Sequence, residues 1–190
     1  NDANAGAFAE GIGSDLPSSF FYLSLSNTVG GAIFHDGNLL PGDAFRCGEA
    51  GHMTLIPDGK PCYCGKTGCV DAYCSARLLS DLSGGRLEDF FLGLQQNNPD
   101  YRSVWDTYLK HLAVVINNLH MLLDYDIVLG GYVGSFLTPW LDTIRHLVAE
   151  RNTFEDDGSF CKTVHLPDRS GGLWGGDGCD GKVFCEQYDL

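Results

Sequence analysis

Apolar and polar positions along the 190-residue chain predict strands first and helices afterwards. Residues 19–26 (SFFYLSLS) read as a buried strand, rich in aromatics and alternating toward its end. Val29 to Phe34 leads into a second strand, His35-Asp36-Gly37-Asn38 turns the chain, and Leu39-Leu40 begins a third, giving an antiparallel meander. Ahead of it, residues 1–12 (NDANAGAFAEGI) predict a short helix, with Asn1 or Asp2 as cap and Gly11 and Gly13 as the stop. Helices are expected at about 70–82 and 86–96, the second broken by Asn97-Asn98-Pro99. The clearest helix covers 101–123, where Val104, Tyr108, Leu112, Val115, Leu119 and Leu122 recur at spacings of four and three and build one apolar stripe. Asp126-Ile127-Val128-Leu129 reads as a buried strand ending at Gly130-Gly131, followed by a helix near 136–151 and a strand near 160–166. The Gly-rich tail from Asp168 predicts no definite element. A meander followed by helices alternating with single strands predicts an α/β fold, a mixed sheet with packed helices. Neither an internal repeat nor a low-complexity linker divides the chain.

Composition narrows the function. Hydrophobic residues make up 44% of the chain, enough for the core of one domain. The net charge is −13, so the surface repels a phosphate backbone; if a parent protein binds DNA, another segment must do it. No run approaches the roughly 18–20 apolar residues of a membrane span, and no membrane partner is expected. The chain opens Asn-Asp-Ala-Asn rather than with Met or a leader, as a processed chain or a piece of a longer one would. Eight cysteines raise the question of a secreted disulfide framework. Their spacing argues for metal ligation in a reducing, cytoplasmic compartment instead.

Cys62, Cys64 and Cys69 form C-x-C-x4-C, and His52 lies ten residues before the first. One imidazole and three thiolates complete the tetrahedron that zinc favours, leaving no open position for water, so a structural zinc loop over 52–69 is expected. Gly65 and Gly68 allow the backbone to wrap tightly, and Gly59 and Pro61 shape the approach. The competing reading, free cysteines beside a bystander His, explains the third thiol poorly. Cys47, Cys74, Cys161, Cys179 and Cys185 lack ligand spacing and read as small buried apolar residues.

Around this loop, Gly48-Glu49-Ala50-Gly51-His52 and Cys62-Tyr63-Cys64-Gly65-Lys66-Thr67-Gly68-Cys69-Val70-Asp71 closely resemble the signature of the ROK family (repressors, open reading frames, sugar kinases), G-E-x-G-H and C-x-C-G-x-x-G-C-x-E. Asn1 to Ala5 and Ile127 to Gly131 resemble the family's N-D-A-N-A segment and its strand and glycine turn beside adenosine. The resemblance implies an actin-like, ribonuclease-H-like ATPase fold of two lobes. Residues 1–190 would be the C-terminal lobe as a single domain, with the D-x-G-x-T lobe outside this chain, and the protein would be a homo-oligomer. It also implies a monosaccharide ligand held by Asn1, Asp2, Glu49, His52 and Asp71, with Asp2 as general base in a kinase and His52 serving both metal and sugar. Nucleotide, ATP with Mg in a kinase, would lie against Thr28, Gly30, Gly31, Gly130 and Gly131.

Two departures decide between functions. Asp71 stands where the family has Glu, one methylene longer. Ser26-Asn27-Thr28-Val29-Gly30-Gly31 stands where family kinases have G-T-G-x-G-G, so two glycines that admit phosphate to the backbone are missing. The expectation is therefore the sugar-binding effector domain of a ROK transcriptional regulator, with its helix-turn-helix upstream. An ATP-dependent hexose kinase is the alternative, and a zinc module without a small ligand is the third reading.

Overall fold

The structure is a computed structural model and describes residues 2–164. Its helices are α1 (Asp2–Gly13), α2 (Asp71–Cys74), α3 (Arg77–Ser80), α4 (Leu87–Gln95), α5 (Pro99–Leu123), α6 (Gly131–Gly134) and α7 (Leu141–Ala149). Its strands are β1 (Phe20–Leu25), β2 (Val29–His35), β3 (Asn38–Leu39), β4 (Asp126–Gly130) and β5 (Cys161–Thr163). They form one five-stranded sheet in the order β3-β2-β1-β4-β5. The first three are the expected antiparallel meander. β4 and β5 then join parallel, so the sheet is mixed.

Central strand β1 is buried at every residue because both faces are covered. Phe20 and Tyr22 point to one side, where they pack with Ala3 and Ala7 of α1, Ala32, Phe34 and Val128. Phe21, Leu23 and Leu25 point to the other, into the larger cluster built by α2 to α7. Trp105 anchors that cluster, fully buried and stacked on Tyr108 with Phe91 and Trp140 edge-on to it.

Several boundaries differ from the sequence reading. The expected helix over 70–82 is two short helices, because Ser75 is extended and the next amide, of Ala76, leaves the helix to donate to the Ser26 carbonyl. Asn98 and Pro99 do more than end α4: Asn98 Oδ1 accepts from the Asp100 and Tyr101 amides, and Pro99 takes the first helical position of α5. Gly11 does not stop α1; it sits inside the helix, where its missing side chain makes room for the Phe34 ring. The helix expected near 136–151 starts at Leu141, after a single 3-10 turn. Leu122 falls off the apolar stripe and is 75% exposed, while Trp105, Leu109 and Ile116 widen the stripe instead. Cys74 and Cys161 are buried as expected and Cys47 is only half-buried. Cys179, Cys185, the tail and the end of the strand near 160–166 lie outside the described residues. Among the described residues no helix is long and apolar enough to cross a membrane.

Candidate functional site

The first half of β2, Val29 to Gly31, is the hub of the site. On one side Ala3, in the first turn of α1, approaches Gly30, which places the adjoining exposed Asp2 beside this strand. On the other, the segment 48–52 lies backbone to backbone against β2. A Cβ at Gly48 would come within 2.5 Å of the Gly31 carbonyl oxygen, and one at Gly51 would overlap the Val29 carbonyl. Glu49, exposed between those two contacts, is carried by this packing rather than by any side-chain bond that the segment makes to its own backbone. Asn1 lies outside the described residues.

Asp71 meets the same hub from below. Its carboxylate is buried and accepts the Val29 amide at 2.6 Å. Burial raises its pKa, and the Val29 bond and the charges of His52 and Arg77 oppose that rise. The shortened side chain thus ties the loop after the metal ligands to the edge of β2. Asp71→Asn, which keeps an acceptor oxygen, is expected to fold nearly as well as wild type. Asp71→Ala leaves the Val29 amide unpaired and is expected to cost about 1–3 kcal/mol in a denaturant melt. Equal midpoints for the two variants would refute this.

At the carboxyl ends of parallel β1 and β4, where Ser24 pairs with Gly130, two turns face each other. One is Ser26-Asn27-Thr28, the other Gly130-Gly131. Ser26 Oγ lies 3.3 Å from Ser24 Oγ and directly against Gly131. The Tyr22 hydroxyl accepts from the Gly131 amide, and its pKa is pushed up to about 12, chiefly by burial. Ligand crevices of open α/β sheets form at such strand ends. Here side chains, not bare backbone, line one wall.

His52, Cys62, Cys64 and Cys69 converge so that their ligand atoms all lie within 4.8 Å of one another. The loop between them closes on itself: the Cys62 amide donates to Lys66, Gly65 to Cys62, Gly68 to Lys60, and Leu55 to Gly68. Lys60's own amide donates to the Tyr73 hydroxyl, which pins the loop to α2. Burial and the neighbouring thiols push Cys69 up to about 12, while the Lys66 amide lowers Cys64. Three crowded thiols resist ionising together unless a cation offsets their charge, so this donor set can hold a metal ion.

Sequence reasoning missed two contributors. Tyr73 supports the loop, and Tyr63, between the first two thiols, places its hydroxyl 3.2 Å from His52 Nε2. The only available signal for Tyr63 was its position inside the C-x-C element.

The sheet order and the helices on both faces define the actin-like ATPase fold, with a loop whose His and Cys side chains could hold a metal ion. The chain belongs to the ROK family, whose match runs over residues 1–171. N-acetylmannosamine kinase of Vibrio cholerae serotype O1 is 31% identical over 141 residues, which are 70% of this chain and 49% of that protein. The ROK hexokinase of Thermus thermophilus superposes with a TM-score of 0.65 at 29% identity, over 79% of this chain and 52% of that one. A ROK family transcriptional regulator, homologous to the E. coli MLC protein, shares the fold with a TM-score of 0.68 at 23% identity, over 80% of this chain and 43% of that one. The chain thus spans about half the length of the curated kinase it matches.

Proposed function

We propose that this chain is the monosaccharide-binding half of a cytoplasmic ROK transcriptional regulator, stiffened by a structural zinc ion. The observation that carries the reading is the turn Ser26-Asn27-Thr28, which presents side chains where a phosphate would need bare backbone, with Ser26 Oγ filling the space beside Gly131. Sugar-side groups remain: Glu49 and His52 are exposed on the segment that β2 holds in place. Thr28, Gly30, Gly31, Gly130 and Gly131 then form what is left of a nucleotide wall. Zinc is favoured because the 3.7 Å between Cys64 Sγ and Cys69 Sγ matches the edge of a tetrahedron with bonds of about 2.3 Å. It would hold the sugar loop rigid and do no chemistry. The other lobe, a helix-turn-helix and a homo-oligomeric assembly belong to the whole protein under this reading.

A second reading, an ATP-dependent sugar kinase, is favoured by exposed Asp2 beside Gly30 and by the 31% identity to a kinase. Phosphorylation of a hexose panel by the full-length protein, with Asp2→Asn as control, separates the two. No turnover together with measurable sugar binding supports the regulator; turnover lost in the Asp2→Asn variant establishes the kinase. In either case Glu49→Ala is expected to weaken sugar binding at least tenfold, about 1.4 kcal/mol, with zinc content unchanged. Undiminished affinity in calorimetry would remove Glu49 from the site.

A further inference from the structure

A groove of about 250 Å³ lies between the segment 78–82, α5 and the loop that carries the candidate metal ligands. Leu78 and Leu82 form one wall. Ser103, Val104, Thr107, Tyr108 and His111, spaced by one and three residues along α5, form the other. Lys60, from the loop between His52 and Cys62, completes the lining. Sites for larger organic ligands run to roughly 300–1,000 Å³, so this groove suits a molecule of a few carbons.

Its chemistry narrows the occupant. The lining holds one ammonium and no carboxylate, in a chain with 25 acidic residues against 12 basic ones. Among the described residues no carboxylate lies within ion-pair distance of Lys60. Its ammonium instead stands 5.2 Å over the Tyr73 ring, which His111 meets edge-on at 5.0 Å. Burial, and then the charge of Lys60, hold His111 below the usual histidine range, so at neutral pH it is an uncharged hydrogen-bonding group. One positive charge among neutral polar groups matches a monoanion better than a phosphate dianion. Leu78, Leu82 and Val104 match a short apolar chain on that anion.

The groove is also tied to the loop. The Lys60 amide donates to the Tyr73 hydroxyl at 2.6 Å, and its carbonyl accepts the Gly68 amide at 2.8 Å. From the α5 wall, the Tyr108 hydroxyl donates to the Cys74 carbonyl at 2.7 Å. Tyr73 and Cys74 are neighbours in α2, so loop and wall are moored to the same short helix. A ligand that pairs with Lys60 and packs on α5 joins the two directly.

We propose that this groove is a second ligand site, for a small carboxylate with a short apolar chain, and that its occupancy holds the 58–69 loop against α5. The inference goes beyond the monosaccharide reading and does not depend on it.

Hydrogen–deuterium exchange of the full-length protein, read by mass spectrometry, tests it with hexanoate as probe. Hexanol and inorganic phosphate supply the chain and the charge separately, with sodium chloride at equal ionic strength as reference. Hexanoate is expected to slow exchange over 58–69 saturably, and more than either partial probe does. Lys60→Gln keeps most of the stem and removes the charge. Thr107→Glu sets a carboxylate into the groove at an exposed helical position that accepts Glu readily. Each is expected to raise the half-saturating hexanoate concentration roughly three- to tenfold, the size of one partly exposed charge contact, with melting temperature unchanged. Protection by hexanol or phosphate equal to that by hexanoate overturns the proposal. So does protection that persists in both variants, protection confined to α5, or none at all.

Discussion

Cys64→Ser in the full-length protein is expected to drop zinc well below one per chain and to leave the chain unfolded or aggregated at temperatures wild type survives. The substitution is a sharp test because Cys64 is exposed and Ser has nearly its shape. Were Cys64 an ordinary surface thiol, the change would fall within about 0.5 kcal/mol of neutral. The loop it closes has no regular helix or strand between the 3-10 turn at Ala50–His52 and α2. Turn bonds, two isolated β-bridges (Thr54 with Cys69 and Pro61 with Thr67) and the bond from the Lys60 amide to the Tyr73 hydroxyl hold its backbone. Metal ligation in such a loop is folding energy: structural zinc is worth on the order of 10 kcal/mol in small peptides, comparable to the whole stability of a domain. Elemental analysis and thermal melts, with a chelator added to wild type as a parallel, read the outcome. A metal-free wild type that melts as before would sink the zinc assignment.

The parts of this molecule that were legible in its sequence are those governed by local rules. Alternation in SFFYLSLS and the glycine turn at Asp36-Gly37 place the meander, and the four-and-three spacing places α5 within two residues of its true start. The grouping of His52 with Cys62, Cys64 and Cys69 was legible because the three thiols sit within eight residues, and the fold brings all four ligand atoms within 4.8 Å of one another. What stayed hidden depends on partners far along the chain. The break at Ser75 is made by a hydrogen bond from Ala76 to Ser26, some fifty residues back. Gly11 reads as a helix stop until the Phe34 ring is seen against it. Leu122 matched the stripe by spacing, but the helix ends at Leu123 and that last turn runs beyond the core. Asp71 is the instructive case in the site. The motif assigns it a sugar hydroxyl, whereas in the fold one of its oxygens is taken by the Val29 amide, a bond between residues 42 apart.

The same long-range logic predicts a large effect of a single methyl group at Gly51. Gly51 has no left-handed backbone angle, so conformational freedom is not what it supplies. It supplies absence of volume: a Cβ at position 51 would overlap the Val29 carbonyl oxygen and lie 2.9 Å from the carbonyl carbon. Both are backbone atoms of a strand fixed in register by β1, where Leu25 pairs with Val29, so neither can swing aside as a side-chain tip would. Gly51→Ala must therefore push residues 48–52 off β2. That displaces Glu49 and His52 together and strains the bond from Val29 to Asp71. Overpacking of about 1–3 kcal/mol plus a weakened buried hydrogen bond gives an expected loss of roughly 3–5 kcal/mol. For a domain of this size that is a fall in Tm of roughly 6–20 °C, with sugar affinity lost beyond detection. Gly65→Ala is the matched control, since its Cβ would meet nothing within 4 Å but its φ of +83° is left-handed. It should cost only the roughly 1–2 kcal/mol of that backbone angle and leave residues 48–52 in place. A Gly51→Ala variant that melts no lower than Gly65→Ala would mean that the 48–52 segment yields to β2, and the packing account of how Glu49 and His52 are positioned would be wrong.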